Sequence, residues 1–115
     1  MKILVIGGSA AGLKAACRAR RLLPEADIKV LEQGEFISYS ACGMPYFISG
    51  DIDSWRELTT TAYDVEKTPE YFLKVKDVEV ITGCRAENID HDSRTVYCRQ
   101  GGQSRRFGYD KLVLA

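Results

Sequence analysis

The chain opens on an apolar run, Lys2-Ile3-Leu4-Val5-Ile6, that ends in the loop Gly7-Gly8-Ser9-Ala10-Ala11-Gly12. No other stretch constrains the fold as strongly. A continuous apolar run of this kind is the pattern of a strand covered on both faces in a parallel sheet. A loop of the G-x-G-x-x-G type between such a strand and a helix points to dinucleotide binding. Its first glycine makes the tight turn, its second lets a pyrophosphate approach the backbone, and its third lets helix and strand pack closely. The helix N-terminus then offers free N–H donors and the positive end of its dipole. Ser9 replaces the middle glycine, a departure by the next-smallest polar residue, whose hydroxyl can itself face a phosphate.

Residues 12–23 have helical character, with Leu13, Ala16, Cys17, Ala19 and Leu23 on an inner face and Pro24 as the boundary. Residues 28–32 read as a second strand and complete a right-handed βαβ unit. That strand ends on Glu32, about 20 residues beyond Gly12, where a carboxylate accepts both hydrogen bonds of an adenosine ribose diol and repels a 2′-phosphate. The bland alternative is a glycine turn in another α/β fold with a surface glutamate. Strand, loop, helix, strand and acid in register favour the nucleotide site. Its expected contacts are Gly7, Gly8, Ser9, Ala10, Ala11, Gly12, Glu32 and Gln33.

Residues 34–50 are too irregular to assign by periodicity. Thr68-Pro69-Glu70 reads as a helix start, with Thr68 as N-cap, proline at the first helical position and an acid in the first turn. Residues 78–82, 85–90 and 94–99 read as strands of a β-hairpin or meander, the last two joined at His91-Asp92-Ser93, and a further turn falls at 100–103. Residues 111–115 return as a strand that stops abruptly, so the chain is expected to be a fragment.

Composition narrows the function classes. Sixteen basic residues balance sixteen acidic ones, which gives no support to nucleic-acid binding by the chain as a whole. No apolar run approaches the ~18 residues of a membrane span, and the apolar N-terminus is too short for a signal peptide, so a cytoplasmic protein is expected. The four cysteines, Cys17, Cys42, Cys84 and Cys98, show no C-x-x-C spacing and accompany a single histidine. They form neither a metal site nor a disulfide framework.

Among them Cys42 stands out. It sits in Ser38-Tyr39-Ser40-Ala41-Cys42-Gly43-Met44-Pro45-Tyr46, a context that suggests a helix N-terminus with Ser40 as cap. The dipole there would favour thiolate and make the sulfur a nucleophile. A buried structural cysteine is the other reading, and local sequence leaves both open.

The G-G-S-A-A-G loop, Glu32, the S-Y-S-A-C-G-M-P-Y block and the late Y-D-K-L-V-L-A all occur in order. Together they resemble the start of the pyridine nucleotide–disulfide oxidoreductases, and more narrowly their single-cysteine branch of coenzyme A–disulfide reductases, NADH oxidases and NADH peroxidases. The resemblance spans essentially the whole chain and implies a Rossmann-like α/β domain holding FAD, with Cys42 as the redox thiol beside the flavin. It makes residues 1–115 the N-terminal part of that FAD-binding domain. NAD(P)H would be the electron donor, bound by a domain absent from this chain, as would be the C-terminal domain through which family members dimerise. The family often replaces the middle loop glycine, in keeping with Ser9. The two-cysteine branch would need a second thiol at C-x4-C spacing, where Phe47 stands, so the expected resting forms of Cys42 are thiolate, sulfenic acid or a mixed disulfide with a small thiol.

The peroxidases and oxidases resemble one another in a loop histidine whose place Ala10 takes here, which argues against peroxide reduction. Lys14, Arg18 and Arg21 recur at i, i+4 and i+7 on one helix face, able to grip coenzyme A phosphates. A solvated helix face is the competing reading. Family members that reduce CoA disulfide use first-helix residues, the serine at Ser38 and a basic residue after the T-P-E helix, here Lys76; the family asparagine before the cysteine is Ala41. The expected function is therefore FAD-dependent, NAD(P)H-driven reduction of a CoA disulfide, CoA persulfide or similar small disulfide. The alternatives are an oxidase or peroxidase working through a Cys42 sulfenic acid, and a nucleotide-binding fragment without activity of its own.

Overall fold

A computed structural model describes all 115 residues. Four strands form a parallel sheet in the order β3-β2-β1-β7: β1 Lys2–Ile6, β2 Asp27–Leu31, β3 Glu79–Ile81 and β7 Lys111–Leu114. Strand β1 is flanked on both sides, by β2 in register Val5↔Val30 and by β7 in register Val5↔Val113. Its uninterrupted apolar sequence follows from covered faces. Ile3 and Val5 turn to one side, against Leu13 and Ala16 of helix α1 (Ala10–Leu22) and Phe72 of helix α4 (Pro69–Lys76). Leu4 turns to the other, with Leu31, onto Cys84, Val96 and Cys98 of a second sheet.

That second sheet is an antiparallel meander of β4 Cys84–Asp90, β5 Thr95–Gln100 and β6 Gln103–Gly108. The molecule therefore has three layers: helices, parallel sheet and meander. The expected meander is present but composed differently. Residues 79–81 leave it and pair in parallel with β2, because α4 intervenes and returns the chain to the first sheet. Strand β6 replaces them. Of its residues only Phe107 is even partly covered, so β6 carried no apolar alternation to be read.

Thr68 caps α4 as its sequence requires, its hydroxyl accepting from the Tyr71 N–H at 3.1 Å. The irregular segment after β2 contains a 3-10 turn at Ala41–Gly43 followed by two short helices, α2 Met44–Ser49 and α3 Trp55–Thr59. No helix is long and apolar enough to cross a membrane.

Candidate functional site

Helix α1 starts at Ala10, earlier than its sequence suggested, so the glycine loop itself forms its first turn. Gly7 has φ +112°, and a Cβ there would stand 2.3 Å from the Ala115 carbonyl oxygen. A Cβ on Gly12 would lie 1.9 Å from the Gly7 carbonyl oxygen and 3.1 Å from Val5 Cγ1. The helix therefore leaves the strand at backbone contact distance. Ser9 has a negative φ of −87°, so the middle glycine position does not call for the left-handed backbone that favours glycine. The N–H groups of Ser9, Ala10 and Ala11 have no partner within the chain, as a helix start leaves them.

Glu32 is held on both carboxylate oxygens. Oε2 accepts from the Gly8 N–H and Oε1 from the Gly34 N–H, each at 2.7 Å. Every oxygen keeps further acceptor capacity, so the carboxylate is oriented without being used up. Ser9, Glu32, Gln33 and Tyr39 line a cavity of about 290 Å³ with Gly7, Cys84 and Ala86. Free loop N–H donors, a backbone cradle that any Cβ would fill and a fixed acceptor carboxylate fit the pyrophosphate and ribose of a dinucleotide. The meander's contribution, Cys84 and Ala86, had no sequence signal, since it comes from strand packing over Leu31.

Glu32→Gln is expected to damage this arrangement before any ligand binds. Both carboxylate oxygens face N–H donors, so a glutamine must turn its own NH2 toward Gly8 or Gly34. The expected loss is about 1–3 kcal/mol of stability, with dinucleotide affinity down about tenfold. Thermal melting and calorimetric titration with FAD check both, and an unchanged melting temperature would contradict the geometry.

A larger cavity, of about 470 Å³, opens between α1 and α4. It is lined by Lys14, Arg21, Ser38 and Lys76 among the residues anticipated from sequence, together with Ala10, Cys17 and Arg20. Ala10 thus faces this cavity and not the one beside Glu32. Arg18 is exposed and does not line it. It stands one turn beyond Lys14 and about 40° further round the helix, on the side away from Cys17. Arg20 was not anticipated; its Nε donates to the Asp77 carbonyl at 2.8 Å and it pairs with the Asp77 carboxylate at 3.2 Å, so it ties α1 to the end of α4. Burial pushes the Cys17 thiol up from its ordinary range, opposed by the positive charges of Lys76, Arg21 and Lys14.

Segment 37–42 runs between the cavities, with Ser38 on one and Tyr39 on the other. The Ser38 N–H donates to the Gly8 carbonyl at 2.9 Å. Cys42 lies in the 3-10 turn and is exposed, so the buried structural reading fails. The expected cap does not form: Ser40 makes no side-chain capping bond, and Gly43 is the residue before α2. Cys84 and Cys98 are buried in the second core. Burial, with help from neighbouring Cys84, pushes the Cys98 thiol up to about 12.

An NAD(P)H coenzyme A polysulfide/persulfide reductase of Pyrococcus horikoshii is 37% identical over 114 residues, covering 99% of this chain and 24% of that protein. A coenzyme A disulfide reductase of Staphylococcus haemolyticus is 31% identical over 116 residues, 99% of this chain and 25% of the relative. The solved structure of an NAD-dependent persulfide reductase from A. fulgidus superposes with TM-score 0.96 at 39% identity, over 99% of this chain and 21% of that one. The chain thus spans about a quarter of the length of the curated relatives it matches. The family model described as pyridine nucleotide-disulphide oxidoreductase matches residues 1–115, and with the Rossmann-type layers and the glycine cradle in place, the chain belongs to the pyridine nucleotide–disulphide oxidoreductase family.

Proposed function

We propose that this chain forms the FAD-binding part and supplies the redox thiol of an NAD(P)H-dependent enzyme that reduces CoA disulfide, CoA persulfide or a closely related small disulfide. The family uses FAD with NAD(P)H. The observation that carries the substrate reading is the cationic cavity, where Lys14, Arg21 and Lys76 meet Ser38 although they come from distant parts of the sequence. Several cations around one cavity suit a ligand bearing multiple phosphates. The relatives named for CoA persulfide and CoA disulfide chemistry support the same reading.

Residues Gly7 to Gly12 with Glu32 and Gln33 would hold the dinucleotide. FAD bound there supplies two-electron exchange between NAD(P)H and a disulfide. The protein's own part is nucleophilic: the Cys42 thiolate attacks one sulfur of the substrate disulfide, forms a Cys42 mixed disulfide and releases the other half as thiolate. Exposure of Cys42 leaves it open to that attack. The NAD(P)H-binding and dimerisation parts belong, in this reading, to the length of the relatives that this chain does not span.

Mass spectrometry of the full-length protein purified without reductant tests the proposal, with a CoA adduct on Cys42 as the expected result. Absence of the adduct together with rapid peroxide turnover would replace it with the sulfenic acid reading. Charge reversal tests the cavity separately. Lys14→Glu and Arg21→Glu should each weaken CoA binding about tenfold, more at low salt than at high. Arg18→Glu, outside the cavity, should change it little.

A further inference from the structure

Cys42 sits in an exposed turn without a side-chain cap, so something else must hold it. The contacts that do so come from α3. The Ser40 N–H donates to the Leu58 carbonyl at 2.8 Å. Gly43 approaches the Leu58 side chain so closely that a Cβ there would stand 2.6 Å from Leu58 Cδ2. Trp55 meets rings on both sides of the thiol: Tyr39 before it at 6.3 Å between centroids, and Phe47 after it at 6.1 Å in edge-to-face geometry. Phe36 adds a further edge contact at 5.5 Å.

We propose that Trp55 is a positioning residue for Cys42, clamping the segment that carries the thiol from both of its ends. The inference rests on the reading of Cys42 as the redox thiol. The indole Nε1 of Trp55 is buried and has no hydrogen-bond partner, so the residue meets this segment through its ring and not through its donor. Aromatic pairs of this geometry attract beyond the area they bury, and a thiol that must meet a ligand held elsewhere gains rate from being fixed. Tyr39 also lines the cavity beside Glu32, so the clamp holds one wall of the nucleotide site as well.

The experiment compares wild type, Trp55→Ala and Trp55→Phe by peptide-resolved alkylation with iodoacetamide at all four cysteines. Trp55→Ala is expected to speed Cys42 alkylation at least about threefold, because the released turn opens the sulfur further to a small reagent that needs no fixed approach, while Cys84 and Cys98 stay protected. Trp55→Phe keeps a ring against Phe47 and Tyr39 and should stay within about twofold of wild type. Trp55 is the only tryptophan, so its emission should also shift when Cys42 is alkylated and not in Cys42→Ser. An unchanged Cys42 rate in Trp55→Ala, a rise shared with Cys84 and Cys98, or an emission spectrum indifferent to Cys42 would each overturn the proposal. Reaction of wild type with CoA disulfide is scored apart. Failure to form an adduct there removes the redox reading, while the alkylation rates still decide whether Trp55 holds the turn.

Discussion

Replacing Gly12 by alanine is expected to destabilise the chain by about 3 kcal/mol or more, at the upper end of overpacking costs, and to abolish dinucleotide binding. The added methyl meets the Gly7 carbonyl oxygen at 1.9 Å. That atom belongs to the backbone of a loop anchored in turn by the Gly7 N–H to the Leu31 carbonyl at 2.8 Å. Nothing on either side is the free end of a flexible side chain. Relief requires α1 to move off β1, and α1 buries Leu13 and Ala16 in the same core as Ile3 and Val5. The helix cannot lift locally without opening that core. A displaced helix start also carries away the unpartnered N–H groups that make the anion cradle. Thermal melting should show a fall of roughly 10 °C or more, and calorimetric titration with FAD should show no binding. A variant that melts like wild type and binds FAD would mean that the close approach of helix and strand is not required.

The same crowding explains why so much of the loop's geometry was legible in advance. Gly7, Gly12 and Glu32 are constrained by local geometry: a positive φ, a backbone contact and a strand end a fixed number of residues away. Those requirements act through nearby chain and leave a mark on residue type. Ser9 departs from the glycine pattern, and its negative φ makes no demand for a left-handed backbone there. The cationic cavity was only partly readable. Lys14 and Arg21 follow from helical period, but Arg18 satisfied the same period and points elsewhere, while Cys17 and Arg20 line the wall unannounced. Which arc of a helix faces a cavity depends on what packs beside it, here Phe72 and Val75 of α4, and periodicity does not contain that information. The exchange of β3 for β6 in the meander has a similar cause. Strand β6 is pinned by hydrogen bonds to β5 and not by buried side chains, so it left no apolar trace.

Cys42→Ser is expected to eliminate mixed-disulfide formation with CoA disulfide while leaving the fold intact. An exposed thiol replaced by a hydroxyl of similar size should change stability by no more than about 0.5 kcal/mol. Loss of chemistry should be near total because no other sulfur can stand in. Cys84 and Cys98 are 1% and 2% exposed, and a Cys98 thiol pushed up to about 12 stays protonated at neutral pH. Cys17 lies in the cationic cavity, but burial raises its thiol despite three neighbouring cations. A raised thiol is a poorer attacker near neutrality because little of it is thiolate. Intact-mass measurement after mixing with CoA disulfide should show an adduct on wild type and a rate reduced about a thousandfold, ~4 kcal/mol, in the serine variant. Residual adduct formation above about a hundredth of the wild-type rate, a loss under ~3 kcal/mol, would move the redox role away from Cys42. Peptide mapping would then locate it, and Cys17 is the thiol the cavity already surrounds with positive charge.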